Sequence, residues 1–189
     1  MKSLWSFLAD TIETIVIAAA IFVVVYLFLI QPHQIRGVSM DNTFHDREYI
    51  LTDKISYRFS APERGDIIVF QAPKNREQDY IKRIIGLPGE KVKIQNGNVY
   101  IYNSKNPNGI KLSEPYVGDT ATTGREFAKE GSPVALGETE YFVMGDNRPH
   151  SSDSRDWGPI QRDEVVGRAW IRYWPLNKIK FVPGLKYGI

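Results

Sequence analysis

A run of sixteen uncharged, mostly apolar residues near the amino terminus constrains this chain more than any other feature. It extends from Ile15 to Ile30 and, with Thr14 added, reaches the lower limit for a membrane-spanning helix, about 17 residues. Such a helix can cross a bilayer because it satisfies its own backbone hydrogen bonds. Pro32 would end it. We therefore predict a single transmembrane anchor in residues 1–31 and a second domain in residues 32–189.

Two other interpretations of this run compete with an anchor. A signal peptide that is removed has a basic start, a short apolar stretch and a small-residue cleavage site. Ala18-Ala19-Ala20 looks like such a site, but ten apolar residues follow it, and Asp10 and Glu13 outnumber Lys2 at the start. A buried helix of a soluble protein is also possible, but the run is apolar on every face. One basic residue flanks the run on each side, Lys2 and Arg36, so the basic residues do not determine which end of the helix faces the cytoplasm.

The composition argues against several classes of function. The chain has 189 residues, and its 24 Lys and Arg against 22 Asp and Glu lack the basic excess of a dedicated nucleic-acid-binding protein. Cysteine is absent, which excludes disulfides, thiol nucleophiles and cysteine-ligated metals. His33, His45 and His150 lack the spacing of a metal-binding motif. We therefore expect no metal, no cofactor and no nucleic-acid partner.

The remainder of the chain has the pattern of a mainly β domain. Short apolar or alternating segments, divided by turn signals, predict strands at 67–70, 80–85, 91–94, 99–102, 141–144 and 169–173. Asn96-Gly97 between two such segments predicts a hairpin. The polar stretch 103–140 predicts long connections, and no useful helical pattern follows residue 31. We predict an all-β domain with irregular connections.

Three segments are candidates for carrying chemistry. Gly37-Val38-Ser39-Met40 places a serine in a short turn. On a strand, Lys82 would share a face with Tyr80, and desolvation there lowers the pKa of a lysine so that it can act as a base. Gly145 to Gly158 is dense in residues that can form a buried polar network. Taken alone, these three segments also fit a plain turn, a half-exposed lysine and a solvated loop, respectively. With no convincing Ser-His-Asp arrangement, a Ser-Lys pair is favoured.

Taken in order behind an apolar helix, these segments resemble the bacterial type I signal peptidases, membrane-anchored Ser-Lys enzymes that remove signal peptides. The resemblance extends to about Trp174, and its most specific pieces are Tyr80 to Glu90 and Gly145 to Gly158. It implies that Ser39 is the nucleophile and Lys82 the general base. It also implies cleavage of exported preproteins after small residues, without a metal or cofactor.

The resemblance assigns further roles. Ser151 matches a serine that hydrogen-bonds the base lysine, and the main-chain N–H of Ser39 matches an oxyanion donor. The supporting polar network would contain Asp146, Arg148, Asp153 and Arg155. The pockets for substrate side chains would be lined by Ile35, Met40, Tyr80 and Ile81.

Some residues depart from the family pattern. Asn42 stands where the family usually has proline, Glu90 replaces an aspartate, and Gly37 offers no hydroxyl to the oxyanion hole. Relatives in the endoplasmic reticulum carry histidine in place of Lys82, so this chain resembles the bacterial branch. Its single anchor and short middle region resemble compact members from Gram-positive bacteria.

The resemblance implies a monomeric, single-pass protein of the plasma membrane with its catalytic domain on the extracytoplasmic side. We also expect the catalytic domain to contact lipid through a late run of aromatic, apolar and basic residues, since such residues suit a membrane interface. The run contains Trp170, Trp174, Phe181, Val182, Lys178, Lys180 and Lys186. Two alternatives stay open: a self-cleaving repressor-type Ser-Lys peptidase, and an inactive anchored β domain that binds exported proteins.

Overall fold

The computed structural model describes residues 4–185 and 187–188, so Lys2 and Lys186 lie outside the described residues. A 25-residue helix, α1 (Leu4–Phe28), begins the fold, and none of its residues is buried. Among the described residues it is the one helix long and apolar enough to cross a membrane. At 1.5 Å per residue it is roughly 37 Å long, which exceeds the ~30 Å hydrocarbon core of a bilayer.

Twelve strands and two one-turn helices follow α1 in the described residues. In chain order they are β1 (Ile30–Gln34), β2 (Tyr49–Asp53), α2 (Ser56–Phe59), β3 (Ile67–Ala72), β4 (Asn75–Gly86), β5 (Lys91–Gln95), β6 (Asn98–Tyr102), β7 (Ile110–Lys111), β8 (Val134–Ala135), β9 (Glu140–Met144), α3 (Ser154–Trp157), β10 (Ile160–Gln161), β11 (Val165–Trp174) and β12 (Lys180–Phe181). Short 3-10 turns lie at Arg148–His150, Arg162–Glu164 and Leu176–Lys178.

The strands form two antiparallel sheets. The larger has the order β1-β2-β11-β3-β4-β9-β10, with β12 pairing with β11, and the smaller has the order β7-β6-β5-β8. Three pairings of the larger sheet join non-consecutive strands, β2 with β11, β11 with β3 and β4 with β9, and they bring distant parts of the chain together. The predicted fold class, a mainly β domain behind an apolar helix, is confirmed.

Strand β4 connects the three hydrophobic cores of the domain. Ile81 packs against the core beneath the Ser39 turn, Ile84 belongs to the core that contains Trp157, and Ile85 belongs to the core under the smaller sheet. Ile84 and Ile85 are fully buried, and each such side chain contributes about 1.5–3 kcal/mol. Lys82 therefore lies on the strand that all three cores hold in place.

All six strands predicted from the sequence are present, and several strands were missed. The helix ends at Phe28, and Pro32 lies within β1, where an edge strand tolerates proline. The polar and proline-containing sequence of β1 gave no strand signal. The stretch 103–140 consists mainly of connections, as predicted, and contains the two-residue strands β7 and β8.

Candidate active site

A serine and a lysine from distant parts of the chain meet at strand β4 of the larger sheet. Lys82 lies on β4 and is 5% exposed, while Ser39 lies in the turn between β1 and β2. The Lys82 Nζ donates a hydrogen bond of 2.7 Å to the Ser39 Oγ. The two residues singled out as candidate nucleophile and base are therefore in direct contact.

The surroundings of Lys82 favour its neutral form. Burial lowers the pKa of Lys82 to about 8, although the more distant carboxylates of Asp153 and Asp146 act to raise it. The Nζ also lies 5.7 Å from the centre of the Tyr80 ring. With a pKa of about 8, roughly one molecule in ten has a neutral lysine at pH 7, against roughly one in 3,000 at the ordinary value.

The turn that carries Ser39 is fixed by hydrogen bonds to the polar segment after β9. Asn147 donates from its backbone N–H to the Ser39 carbonyl and from its side-chain Nδ2 to the Val38 carbonyl, each at 3.0 Å. The backbone N–H of Gly37, at φ 86°, donates to Asp46 Oδ1. Sequence reasoning missed Asn147 as a positioning residue, although it lies inside the polar segment identified for this purpose.

Asp146 forms a buried ion pair with Arg83, the residue next to Lys82. Arg83 donates from Nε and Nη2 to the two oxygens of Asp146, at 2.8 and 2.7 Å. Thr43 also donates to Asp146 at 2.5 Å, which joins the network to the Ser39 turn. The guanidinium lies 4.0 Å from the centre of the Tyr116 ring. Burial acts to lower the pKa of Arg83, but Asp146 more than compensates and raises it.

Asp153 pairs with Arg155, another member of the polar network expected from the resemblance. Arg155 donates from Nε and Nη2 to its two oxygens at 2.8 and 2.9 Å, and the backbone N–H of Gly145 donates to Asp153 at 3.1 Å. Burial alone would raise the pKa of Asp153, but the contacts with Arg155 hold it below the usual value. Asp153 also caps α3 by accepting from the backbone N–H of Arg155, so it fixes the segment between β9 and α3.

Arg148 pairs with a carboxylate that the sequence did not single out. It is 1% exposed and contacts Glu114, which lies in the polar stretch expected to form connections. It also donates to Thr122 Oγ1 at 2.5 Å and to the Gly145 carbonyl at 3.0 Å. The connection after β7 is thus an integral part of the polar network.

Ser151 lies beside the serine–lysine pair without contacting the lysine through a hydrogen bond. It is 2% exposed, and its Oγ has no hydrogen-bond partner among the described residues, so the bond to Lys82 expected from the resemblance is not formed here. A Cβ added to Gly145 would collide with the Ser151 side chain and the Ser39 carbonyl, which shows how closely these groups pack.

A cleft of about 670 Å³ opens onto the pair between β1 and β4. Its lining includes Ser39, Lys82 and three of the four expected pocket residues, Ile35, Tyr80 and Ile81. The fourth, Met40, is 1% exposed and packs in the core beneath the Ser39 turn. Among the described residues no cluster of His, Asp and Glu could hold a metal ion.

Known proteins with similar sequences identify the family of this chain. A family model described as "Signal peptidase, peptidase S26" matches residues 8–174. "Probable signal peptidase I-2" of Synechocystis sp. is 37% identical over 183 residues, which cover 94% of this chain and 77% of that protein. "Signal peptidase IB" of Staphylococcus aureus is 36% identical over 187 residues, which cover 91% of this chain and 94% of that protein.

A crystal structure of a signal peptidase I from Enterococcus faecalis is also similar, at 36% identity and a TM-score of 0.47, covering 58% of this chain and 97% of that chain. The family match and the two relatives identify a serine peptidase of the kind that processes signal peptides. The chain belongs to the signal peptidase family, peptidase S26, so the resemblance seen in the sequence is confirmed.

Proposed function

We propose that this chain is a membrane-anchored endopeptidase that cleaves signal peptides from exported preproteins after small residues, using Ser39 and Lys82. The observation that carries the proposal is the 2.7 Å contact between Lys82 Nζ and Ser39 Oγ. It lies at the wall of a cleft, and burial lowers the pKa of Lys82 to about 8. A buried amine in contact with a hydroxyl is suited to taking its proton.

The reaction follows from this contact. Neutral Lys82 accepts the Ser39 hydroxyl proton while Oγ attacks the scissile carbonyl carbon, and the oxyanion that forms accepts from the main-chain N–H of Ser39. Protonated Lys82 then gives its proton to the leaving amine as the C–N bond breaks. Lys82 next accepts a proton from water as the water oxygen attacks the carbonyl carbon of the Ser39 ester. It returns this proton to the Ser39 Oγ as the ester C–O bond breaks, which releases the acid and restores free Ser39 and neutral Lys82.

The cleft is suited to an extended segment of the preprotein. Its two walls are the strands β1 and β4, and a peptide between them can pair with backbone groups in the manner of an added strand. Ile35, Ile81 and Tyr80 offer an apolar lining with limited room near Ser39. Met40 supports that lining from the core, so its part in specificity is indirect.

The helix α1 would hold this site at the membrane. It precedes β1 directly, and Arg58 of α2 lies 5.5 Å from the Phe28 ring at its end. We propose a single-pass protein of the plasma membrane that acts as a monomer, with the catalytic domain on the extracytoplasmic side, where an exported preprotein emerges.

The test is cleavage of a preprotein by the purified full-length protein and by Ser39→Ala. We expect the parent to release the signal peptide and the variant to leave the preprotein intact while keeping the parental melting temperature. Val38→Ala is a matched control, since it changes the neighbouring side chain in the same turn. Cleavage by a folded Ser39→Ala protein would exclude the dyad. Binding without cleavage by the parent would favour an inactive domain that holds exported proteins.

A further inference from the structure

A second concave site lies on the domain surface apart from the catalytic cleft. It has a volume of about 470 Å³ and shares no lining residue with that cleft. Three cationic side chains line it, those of Arg172, Lys178 and Lys180. Phe44 and Val182 close it on the side of the core, where both are buried. The site thus combines positive charge with an apolar base.

The cations of this pocket have too few carboxylates to balance them. Arg172 and Lys178 both contact Glu48, at 2.9 and 3.3 Å. Lys180 stands directly opposite Arg172 in the β11–β12 pairing, and like charges in that position destabilise a sheet. Its amine has no ion pair or hydrogen bond with the described residues. Glu48 is the one carboxylate that these cations contact among the described residues, so the three cations face a single carboxylate.

The chain segments that line the pocket also expose apolar side chains, which we call its apolar rim. Leu176, Ile179 and Phe181 are 67%, 58% and 66% exposed, and Trp174 is 48% exposed. Trp170, in ring contact with Phe181 at 6.0 Å, is also partly exposed. Of the described residues expected to contact lipid, all are exposed except Val182, whose backbone N–H bonds to the Trp170 carbonyl and whose side chain packs in the core.

The pocket stays close to the end of α1. Strand β1 starts two residues after that helix and runs from Ile30, opposite Asp53, to Gln34, opposite Tyr49. Tyr49 in turn pairs with Trp174 at the pocket end of β11. Four residues of strand measure roughly 13 Å. If α1 spans a bilayer, this surface lies within reach of the lipid head groups.

We propose that the pocket binds the phosphate-bearing head group of an anionic phospholipid. The inference rests on the proposed membrane anchoring and adds to it a site that distinguishes lipids by charge. A free phosphate or an acidic peptide would satisfy the cations but leave the apolar rim exposed to water. An anionic lipid would satisfy both the cations and the apolar rim. Its phosphate would face Lys180, and its glycerol and upper acyl chains would contact Phe181 and Ile179.

The first test is the reactivity of individual lysines in the full-length protein. The protein is placed in vesicles of phosphatidylcholine, with or without phosphatidylglycerol, and treated with an amine-acylating reagent. We expect phosphatidylglycerol to reduce acylation of Lys178 and Lys180 by about fivefold each. The lysines of the smaller sheet, Lys91, Lys93 and Lys111, serve as internal controls and should react equally in both vesicles. Equal protection of both groups of lysines, or of neither, would overturn the proposal.

The second test compares two variants that lose the same charge. Lys178→Gln/Lys180→Gln changes the pocket, and Lys91→Gln/Lys111→Gln changes the smaller sheet. Bound phosphatidylglycerol is counted by mass spectrometry of the intact protein in mild detergent. The pocket variant should lose a bound lipid that the control variant keeps. Equal loss in both variants would indicate general charge attraction. Protection of Lys180 by inorganic phosphate as strong as by the lipid would overturn the assignment to a phospholipid.

A parallel assay separates this inference from the proposed function. Cleavage of a short soluble peptide in neutral detergent should be the same for both double variants and the parent, since neither pair of lysines lines the catalytic cleft. If the parent cleaves no peptide while phosphatidylglycerol still protects Lys180, the peptidase proposal fails and the lipid site stands. If cleavage is normal and phosphatidylglycerol does not protect Lys180, the lipid site is excluded and the peptidase proposal stands.

Discussion

Two adjacent basic residues of β4, Lys82 and Arg83, are both buried and have opposite electrostatic surroundings. Arg83 donates from Nε and Nη2 to the two carboxylate oxygens of Asp146, so the charge of Arg83 is matched. Lys82 forms no ion pair with the described residues and contacts the hydroxyl of Ser39. Because successive side chains of a strand point to opposite faces, one strand delivers a matched charge to the network and an unmatched amine to the cleft.

This difference explains how the pKa of Lys82 can stay low although two carboxylates lie in its surroundings. Asp146 and Asp153 both act to raise the pKa of Lys82, and burial nevertheless lowers it to about 8. Each carboxylate is already occupied by an arginine, Asp146 by Arg83 and Asp153 by Arg155. The arginines therefore have two effects: they hold the loops around the site and neutralise carboxylates that would otherwise keep Lys82 protonated.

We expect the largest effect from replacing Lys82, the unmatched amine, with arginine, which is always charged. Lys82→Arg should reduce kcat/KM by about 10²–10⁴-fold, as much as Lys82→Ala, because arginine cannot give up its proton to act as a base. Peptide cleavage by the purified variants measures this. A near-normal rate for Lys82→Arg would mean that the charge of Lys82 matters and that the base lies elsewhere.

The pH profile of the parent checks the same point. The deprotonated lysine is the active form, so kcat/KM should rise about tenfold per pH unit below pH 8 and level off above it. A rate that stays flat from pH 5 to pH 10 would contradict a titrating lysine.

The role of the buried ion pairs is tested by removing the carboxylate of Asp153, the partner of Arg155. Asp153→Ala leaves Arg155 buried without its partner, which costs about 3–5 kcal/mol, and it also disturbs the segment next to Ser39. We expect a lower rate and a melting temperature lower by about 2–4 °C for each kcal/mol. Asp119→Ala, at an exposed position, is the control. Equal melting temperatures for Asp153→Ala and the parent would contradict the structural role.

The sequence predicts the proposed catalytic pair better than the network that supports it. Ser39 and Lys82 belong to short local patterns, a turn and an apolar strand, and such patterns can be read from neighbours in the chain. The pairs of Arg83 with Asp146 and Arg148 with Glu114 join residues 63 and 34 positions apart. No local pattern determines which acid meets which arginine, since the sheet order decides it.

The same reasoning explains the errors at the two ends of the domain. β1 is a strand because β2 supplies its partner, although its own sequence contains proline and polar residues. Val182 looked suited to lipid contact by residue type, but its backbone N–H bonds to the Trp170 carbonyl and directs the side chain into the core. In both cases tertiary pairing outweighs the local preference.

A further prediction compares how Lys82 and Arg83 contribute to the free energy of unfolding. The folded-state pKa of Lys82 lies below its ordinary value of 10.5, so the unfolded chain binds more protons between pH 8 and pH 10.5. The burial cost is fully present below pH 8, on the order of 3 kcal/mol, and disappears as pH rises through that window. Lys82→Met should therefore be more stable than the parent at pH 7, and this advantage should vanish near pH 10.5.

Arg83→Met is the matched variant on the same strand. It leaves Asp146 buried without its ion-pair partner and should destabilise the protein by about 3–5 kcal/mol at pH 7. Thermal unfolding of the full-length variants in detergent, at pH 7 and near pH 10.5, measures both effects. If Lys82→Met unfolds at a lower temperature than the parent at pH 7, Lys82 does not carry an uncompensated burial cost.

The smallest effects concern two buried serines of the same segment. The Ser154 Oγ accepts a hydrogen bond of 2.9 Å from the Val143 backbone N–H, whereas the Ser151 Oγ has no partner among the described residues. An unsatisfied buried hydroxyl costs about 1–3 kcal/mol and a satisfied one contributes about 1 kcal/mol. Ser154→Ala should therefore lower the melting temperature, and Ser151→Ala should leave it unchanged or raise it. Because Ser151 packs beside Ser39 and Gly145, we expect its variant to lose activity despite its stability. Parental activity in a stable Ser151→Ala protein would show that this hydroxyl does not position the catalytic pair.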